Sequence, residues 1–282
     1  MRPRVAVVQM CSGPRREENL RIAGDLLAEA ASAGAALAVL PENFSFLGRR
    51  ESDRIAMAEG PGEGPAQDFL ASRARELGLW IVGGTVPLLE PGEGRPRAAS
   101  LLYDDSGMLA ARYDKLHLFD VGVPGTSEGY RESAGTSPGW GTVVTRSPAG
   151  RLGLSVCYDV RFPELYRAMI PAGVQAISVP AAFTVPTGRA HWELLLRARA
   201  VENLAFVLAA AQWGEHEGGR RTWGDSMIVD HWGEVLARRP RGVGVVVADL
   251  DLEAQAAARE RFPVLVHRLP EMALQSNVET EE

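Results

Sequence analysis

Hydrophobic and polar positions along the chain alternate between a two-residue period and a three-to-four-residue period. Val5, Ala6, Val7 and Val8 form a short apolar run that predicts a buried strand over 4–9. Leu20, Ala23, Leu27, Ala30 and Ala31 then recur at helical spacing, predicting an amphipathic helix over 17–33 closed by Gly34. A second strand over 36–40 runs into Pro41-Glu42-Asn43-Phe44. Glycine and proline mark 60–65 as a loop, and a helix over 65–77 ends at Gly78 before a strand over 79–86. Asp104-Asp105-Ser106-Gly107 lies between two apolar runs, 101–103 and 109–113, which is a hairpin signal.

The second half repeats the vocabulary. Strands are expected over 142–145, 152–156, 176–179 and 205–211, with helices beginning at Pro163 and over 191–203. A hairpin over 226–230 and 235–238 turns through Trp232-Gly233-Glu234, followed by a strand over 243–248 and a helix over 252–259. Alternating strands and helices with interspersed hairpins make this an α/β protein with mixed sheets. Leu37-Ala38-Val39-Leu40-Pro41 up to Phe44 echoes Ile177-Ser178-Val179-Pro180 up to Phe183, which suggests two strand–loop–helix halves. No shift in composition marks a boundary, so a single domain over 1–270 is expected, with a polar tail over 271–282.

Composition narrows the classes. With 282 residues and 46% hydrophobic content the chain can bury a large core. Its net charge of −6 gives no electrostatic reason to expect nucleic acid as a partner. Two cysteines, Cys11 and Cys157, do not make a disulfide framework, which points to a reducing, cytoplasmic compartment. No apolar run approaches the ~18 residues of a membrane span, and the first one stops at Gln9. The histidines and cysteines show no metal-binding spacing, so a metal hydrolase is not expected.

Three positions carry chemistry. Leu152, Leu154 and Val156 alternate with Gly153, Ser155 and Cys157, and Phe162-Pro163-Glu164 reads as a helix entrance. Cys157 is thus expected at a strand tip near a helix N-terminus, where a thiol ionises more readily and backbone N–H groups can hold an oxyanion. A buried core cysteine fits the same pattern. Ser155 lacks the second glycine of a nucleophile elbow. Lys115 is the one lysine against 29 arginines, in a chain that elsewhere uses arginine for every cation. Such an exception suits a compact point charge in a tight space. Glu42 ends an apolar strand beside Phe44 and Phe46, a setting for a general base, although a loop acid reads the same way. A carboxylate, an ammonium and a thiol at strand ends can together deprotonate a nucleophile, attack a carbon and hold the oxyanion.

Leu40-Pro41-Glu42-Asn43, Tyr113 through Asp120 and Cys157 through Leu165, in that order, resemble the nitrilase (carbon–nitrogen hydrolase) superfamily over nearly the whole chain. The resemblance implies a four-layer α-β-β-α sandwich that commonly forms homodimers, and a Glu–Lys–Cys triad of Glu42, Lys115 and Cys157 acting with the N–H of Tyr158. It also implies a second active-site glutamate. Arg131-Glu132-Ser133 before Pro138-Gly139 matches that pattern, so Glu132 is chosen over Glu128. The stretch from Thr187 to Ala200, with Ala209-Ala210-Ala211-Gln212, resembles the Nit branch, whose amidases act on deaminated glutathione and on α-keto acid amides. Trp213 stands where that branch has a smaller residue. Such substrates carry carboxylates, making Arg161, Arg189 and Arg199 candidate binding residues. A nitrilase, a carbamoylase or an acyltransferase would use the same triad, and a non-catalytic binding protein could keep the same fold.

Overall fold

The computed structural model describes residues 2–50, 52–125 and 128–269, so the polar tail expected over 271–282 lies outside the described residues. A seven-stranded sheet runs Gly244–Asp249, Arg4–Gln9, Leu37–Val39, Trp80–Val82, Arg97–Tyr103, Val86–Leu88, with Leu109–Asp114 also pairing with Arg97–Tyr103. A six-stranded sheet runs Val235–Arg239, Ser226–Val229, Phe206–Ala211, Ala176–Ala181, Gly150–Leu154, Val143–Ser147. Each sheet has three parallel strands at its centre and antiparallel strands outside them. The echoed strands Leu37–Val39 and Ala176–Ala181 occupy the middle of the parallel set in their respective sheets.

The layering follows from period-2 alternation. In the Arg4–Gln9 strand, Val5 and Val7 face the other sheet and join a core with Leu154, Val207 and Val229. Ala6 and Val8 face the opposite way and pack with Ala23, Leu27 and Ala30 of the Arg16–Ser32 helix and Leu70 and Ala74 of the Pro65–Leu77 helix. On the outside of the second sheet lie Pro163–Met169 and Val185–Asn203, which bury Tyr166, Met169, Trp192 and Leu196. The result is the expected α-β-β-α sandwich with mixed sheets. No helix among the described residues is long and apolar enough to cross a membrane.

Several elements differ from the sequence reading; the strand expected over 152–156, for one, is Gly150–Leu154 and ends before Cys157. The strand expected over 79–86 is two, Trp80–Val82 and Val86–Leu88, interrupted by Gly83-Gly84. The helix expected from residue 191 begins at Val185, where the Thr184 hydroxyl accepts from the N–H of Thr187 and Pro186 occupies the first turn. Gly188 does not break this helix; a Cβ there would overlap the Trp223 ring. Between strand and helix, Cys157–Arg161 forms a separate 3₁₀ turn before Pro163–Met169.

The sheets are joined at one end. Met10 and Gln212, just past the C-terminal ends of Arg4–Gln9 and Phe206–Ala211, form a parallel bridge in which the Trp213 N–H donates to Met10 O at 2.8 Å. Ligands of open α/β sheets gather at the C-terminal ends of parallel strands, and here the two sets of ends open on the same recess.

Candidate active site

Glu42 lies just beyond the Leu37–Val39 strand and is held from several sides. Gly84 adopts φ +47°, and a Cβ there would overlap the Pro41 carbonyl oxygen, so glycine permits the close approach of these two segments. Asn43, itself at φ +60°, donates its N–H to Thr85 Oγ1 at 2.8 Å. From the second sheet, Gln212 Nε2 donates to the Glu42 carbonyl at 2.9 Å and to Ser12 Oγ at 2.8 Å. The Glu42 residue is 4% exposed.

Lys115 follows Leu109–Asp114, and its main chain is pinned by Ala98 O at 3.0 Å and the Gly139 N–H at 2.9 Å. Its ammonium, 1% exposed, donates to Glu42 Oε1 at 2.8 Å and to Glu132 at 2.8 and 3.1 Å. This is the compact point charge that its singular use implied. Glu132 also accepts from the Phe119 N–H at 2.8 Å and from Arg54 Nη1 at 3.1 Å. Arg54 reaches Thr136 Oγ1 at 3.1 Å as well. Burial works against charge on both partners, but mutual attraction outweighs it. Lys115 is raised above the usual lysine value, first by Glu132 and then by Glu42. Glu132 is lowered to about 2 by Lys115 and then Arg54.

Cys157 opens the 3₁₀ turn at φ +48°, a left-handed conformation that costs an L-residue roughly 1–2 kcal/mol. Its thiol shares a recess with Glu42, Lys115 and Ala182. Burial pushes the thiol well above its ordinary range and Glu42 adds to this, while Lys115 and the Ala182 N–H pull the other way. The sequence suggested a readily ionised thiol; in the folded protein desolvation and Glu42 outweigh the lysine. The resting group is the thiol, with an acceptor already in place. Tyr158 is the second residue of this turn, where backbone N–H groups have no carbonyl partner within the turn.

A buried carboxylate ties the thiol segment to the ammonium segment. Asp159 accepts from the Val156 N–H at 2.9 Å, the Tyr113 hydroxyl at 2.8 Å and the His117 N–H at 3.1 Å, with His117 Nδ1 at 2.7 Å. The His117 ring stacks on Phe162 with centroids 3.7 Å apart. Ser155 is fully buried, donating to Ser178 O at 2.8 Å and accepting from the Tyr166 hydroxyl at 3.0 Å, which leaves it no route to a substrate.

Glu42, Lys115, Glu132 and Cys157 share the floor of one recess of about 390 Å³, mouth included. Tyr158, Phe119 and Phe183 line its walls together with Arg54, Arg161 and Arg220. Of the three arginines expected to bind substrate, Arg161 is at this recess, over the rings of Phe183 at 5.3 Å and Tyr158 at 5.8 Å. Arg189 is not; it lines a separate recess of about 1160 Å³, open solvent at its mouth included, that also contains Trp213. Arg199 is not either. It is 5% exposed, donates to Val160 O and to Glu202, both at 2.8 Å, and so braces the thiol turn from behind. Glu132 rather than Glu128 reaches Lys115, while Glu128 accepts from the Tyr130 hydroxyl at 3.0 Å in an outer recess. Sequence reasoning missed Arg54 and Arg220. Arg54 sits on the short Asp53–Ala56 helix and Arg220 follows Gly218-Gly219, neither with a local pattern that marks it.

Residues 4–260 match the carbon-nitrogen hydrolase family, and the chain belongs to it. It is a carbon–nitrogen hydrolase of the amidohydrolase kind. The deaminated glutathione amidase of Yersinia enterocolitica is 42% identical over 264 residues, covering 93% of this chain and 92% of that protein. The crystal structure of the Caenorhabditis elegans NitFhit protein matches with a TM-score of 0.89 at 37% identity, covering 99% of this chain and 69% of that one. An amidase from Nesterenkonia sp., solved as a mutant after Michael addition of acrylamide at its active site cysteine, matches with a TM-score of 0.74 at 30% identity, covering 92% of this chain and 98% of that one.

Proposed function

We propose that the protein hydrolyses an amide bond of a small carboxylate-bearing amide through a thioester on Cys157, and that deaminated glutathione is its substrate. The observation that carries the chemistry is the position of Lys115 Nζ, 2.8 Å from both Glu42 and Glu132, with the Cys157 thiol in the same recess. Glu42 takes the thiol proton as sulfur attacks the amide carbon. The Lys115 ammonium and the Tyr158 N–H meet the oxyanion. Glu42 then returns the proton to the departing amine, the C–N bond breaks and a thioester remains. Water gives a proton to Glu42 and attacks the thioester carbon. Collapse releases the carboxylate product, and the thiolate recovers its proton from Glu42. Glu132 holds Lys115 in place and keeps it charged. No cofactor enters these steps.

The amidase names of relatives at about this identity support the choice of an amide over a nitrile or a carbamoyl group. The reading also takes residues 1–270 as one hydrolase domain acting as a cytoplasmic homodimer or higher homo-oligomer. Incubation with deaminated glutathione, α-ketoglutaramate, simple amides and nitriles tests the assignment through kcat/KM. Deaminated glutathione is expected to rank first. If the two keto-acid amides rank last, the assignment is wrong.

A further inference from the structure

Alternate residues of the segment from Lys115 to Phe119 reach into the site. Lys115 donates to Glu42 and Glu132, and the Phe119 N–H donates to Glu132. His117, between them, reaches the thiol turn instead and grips it twice. Its N–H donates to Asp159 Oδ1 at 3.1 Å, and its Nδ1 lies 2.7 Å from the same oxygen. A carboxylate only accepts, so Nδ1 carries the proton. The ring also lies flat on Phe162, with centroids 3.7 Å apart and planes at 7°. Asp159 is in the middle of the Cys157–Arg161 turn and Phe162 is its exit. One imidazole therefore clamps both, from the segment that carries Lys115.

The turn needs holding. Cys157 stands at φ +48°, and a strained residue keeps its conformation only where its surroundings over-determine it. Asp159 is fully buried, and its other oxygen accepts from the Val156 N–H at 2.9 Å and the Tyr113 hydroxyl at 2.8 Å. Arg199 holds Val160 O from behind at 2.8 Å. On the other side, Phe162 meets the Tyr158 ring edge-on at 5.3 Å, and Tyr158 meets Phe119 at 5.0 Å. Tyr158 and Phe119 line the recess, whereas His117 is not among the described residues that do. A shift of His117 thus reaches the sulfur through Asp159 and the recess wall through Phe162.

We propose that His117 is a positioning residue of the hydrolysis, which sets the Cys157 sulfur and the Tyr158 N–H against the Lys115 ammonium. It touches neither substrate nor reacting atoms and acts through the Asp159 bond and the Phe162 stack. The assignment rests on the amide-hydrolase reading above and adds to it a group outside the recess. Removing such a group misplaces the nucleophile in the transition state, so the loss falls on kcat and not on KM.

Steady-state kinetics on the amide with the highest kcat/KM in the panel above test it. His117→Ala removes both grips and is expected to lower kcat roughly thirty- to hundredfold, with KM within about twofold. His117→Phe keeps the stack and His117→Asn keeps an N–H donor, so each should lose less, about tenfold. Because the bond acts through Asp159, His117→Phe should cost below about threefold in the Asp159→Asn background. A merely structural loss would not shrink in this way. Urea unfolding reports whether each variant is folded, and where His117→Ala is not, the cycle of His117→Phe with Asp159→Asn carries the test. A kcat in the folded His117 variants within about twofold of the unsubstituted protein, a loss confined to KM, or losses in the cycle that multiply in full would each overturn the assignment while the amidase reading stands. No turnover of any amide by the unsubstituted protein overturns both.

Discussion

Replacing Glu132 by glutamine tests the electrostatics of the site through stability. The side chain is 3% exposed, and its carboxylate is contacted by Lys115, Arg54 and the Phe119 N–H. The interval between an ordinary glutamate, 4.5, and the folded value of about 2 corresponds to about 3 kcal/mol. That agrees with the roughly 3–5 kcal/mol lost when one partner of a buried ion pair is removed. Glu132→Gln keeps the shape and an acceptor for Phe119 but removes the charge, so a loss of about 3 kcal/mol is expected at pH 7 in urea unfolding. The depressed value also fixes the direction of the pH dependence. Stability from this carboxylate is fully present above 4.5, where both folded and unfolded states are ionised, and is lost as pH falls toward 2. The difference between the original protein and Glu132→Gln should therefore narrow to about 1 kcal/mol at pH 3. A difference that stays constant from pH 7 to pH 3 would refute the reasoning.

Other consequences are open to direct measurement. Asp159→Asn weakens the tie between the thiol turn and the lysine segment, and is expected to lower kcat roughly tenfold or more with little change in KM; an equal rise in KM would point to a binding defect instead. Gly84→Ala forces a Cβ against the Pro41 carbonyl at a positive φ. A loss above about 1 kcal/mol in thermal or urea unfolding is expected, and no loss would mean the turn relaxes freely. Because burial and Glu42 hold the Cys157 thiol high, its modification by methyl methanethiosulfonate, followed by peptide mass mapping, should still accelerate beyond pH 9. A plateau below pH 8 would reveal a resting thiolate.

Much of the site was legible because its members lie just after apolar runs whose periodicity fixes where the strands end. Glu42 and Cys157 follow such runs, and Lys115 stood out by composition. The choice between Glu132 and Glu128 rested on the family resemblance, and burial of Glu132 against Lys115 agrees with it. The arginines were not legible. Arg161, Arg189, Arg199 and Arg220 look alike locally, and what separates them is tertiary: a ring beneath, a carbonyl behind, a recess in front. The thiol's protonation was misread for a related reason. A helix entrance and a nearby lysine are visible in sequence, whereas the extent of desolvation appears only when the sheets close over the sulfur. The Gly83-Gly84 interruption and the Thr184-Pro186 helix start were marked by residue type, but the apolar residues around the first and Gly188 within the second masked them.

The most direct measurement is a rapid acid quench of the protein during turnover of deaminated glutathione, followed by peptide mass spectrometry. The account expects an acyl adduct on the peptide containing Cys157, removed by hydroxylamine and lost together with turnover in Cys157→Ala. Undiminished turnover in Cys157→Ala would contradict it.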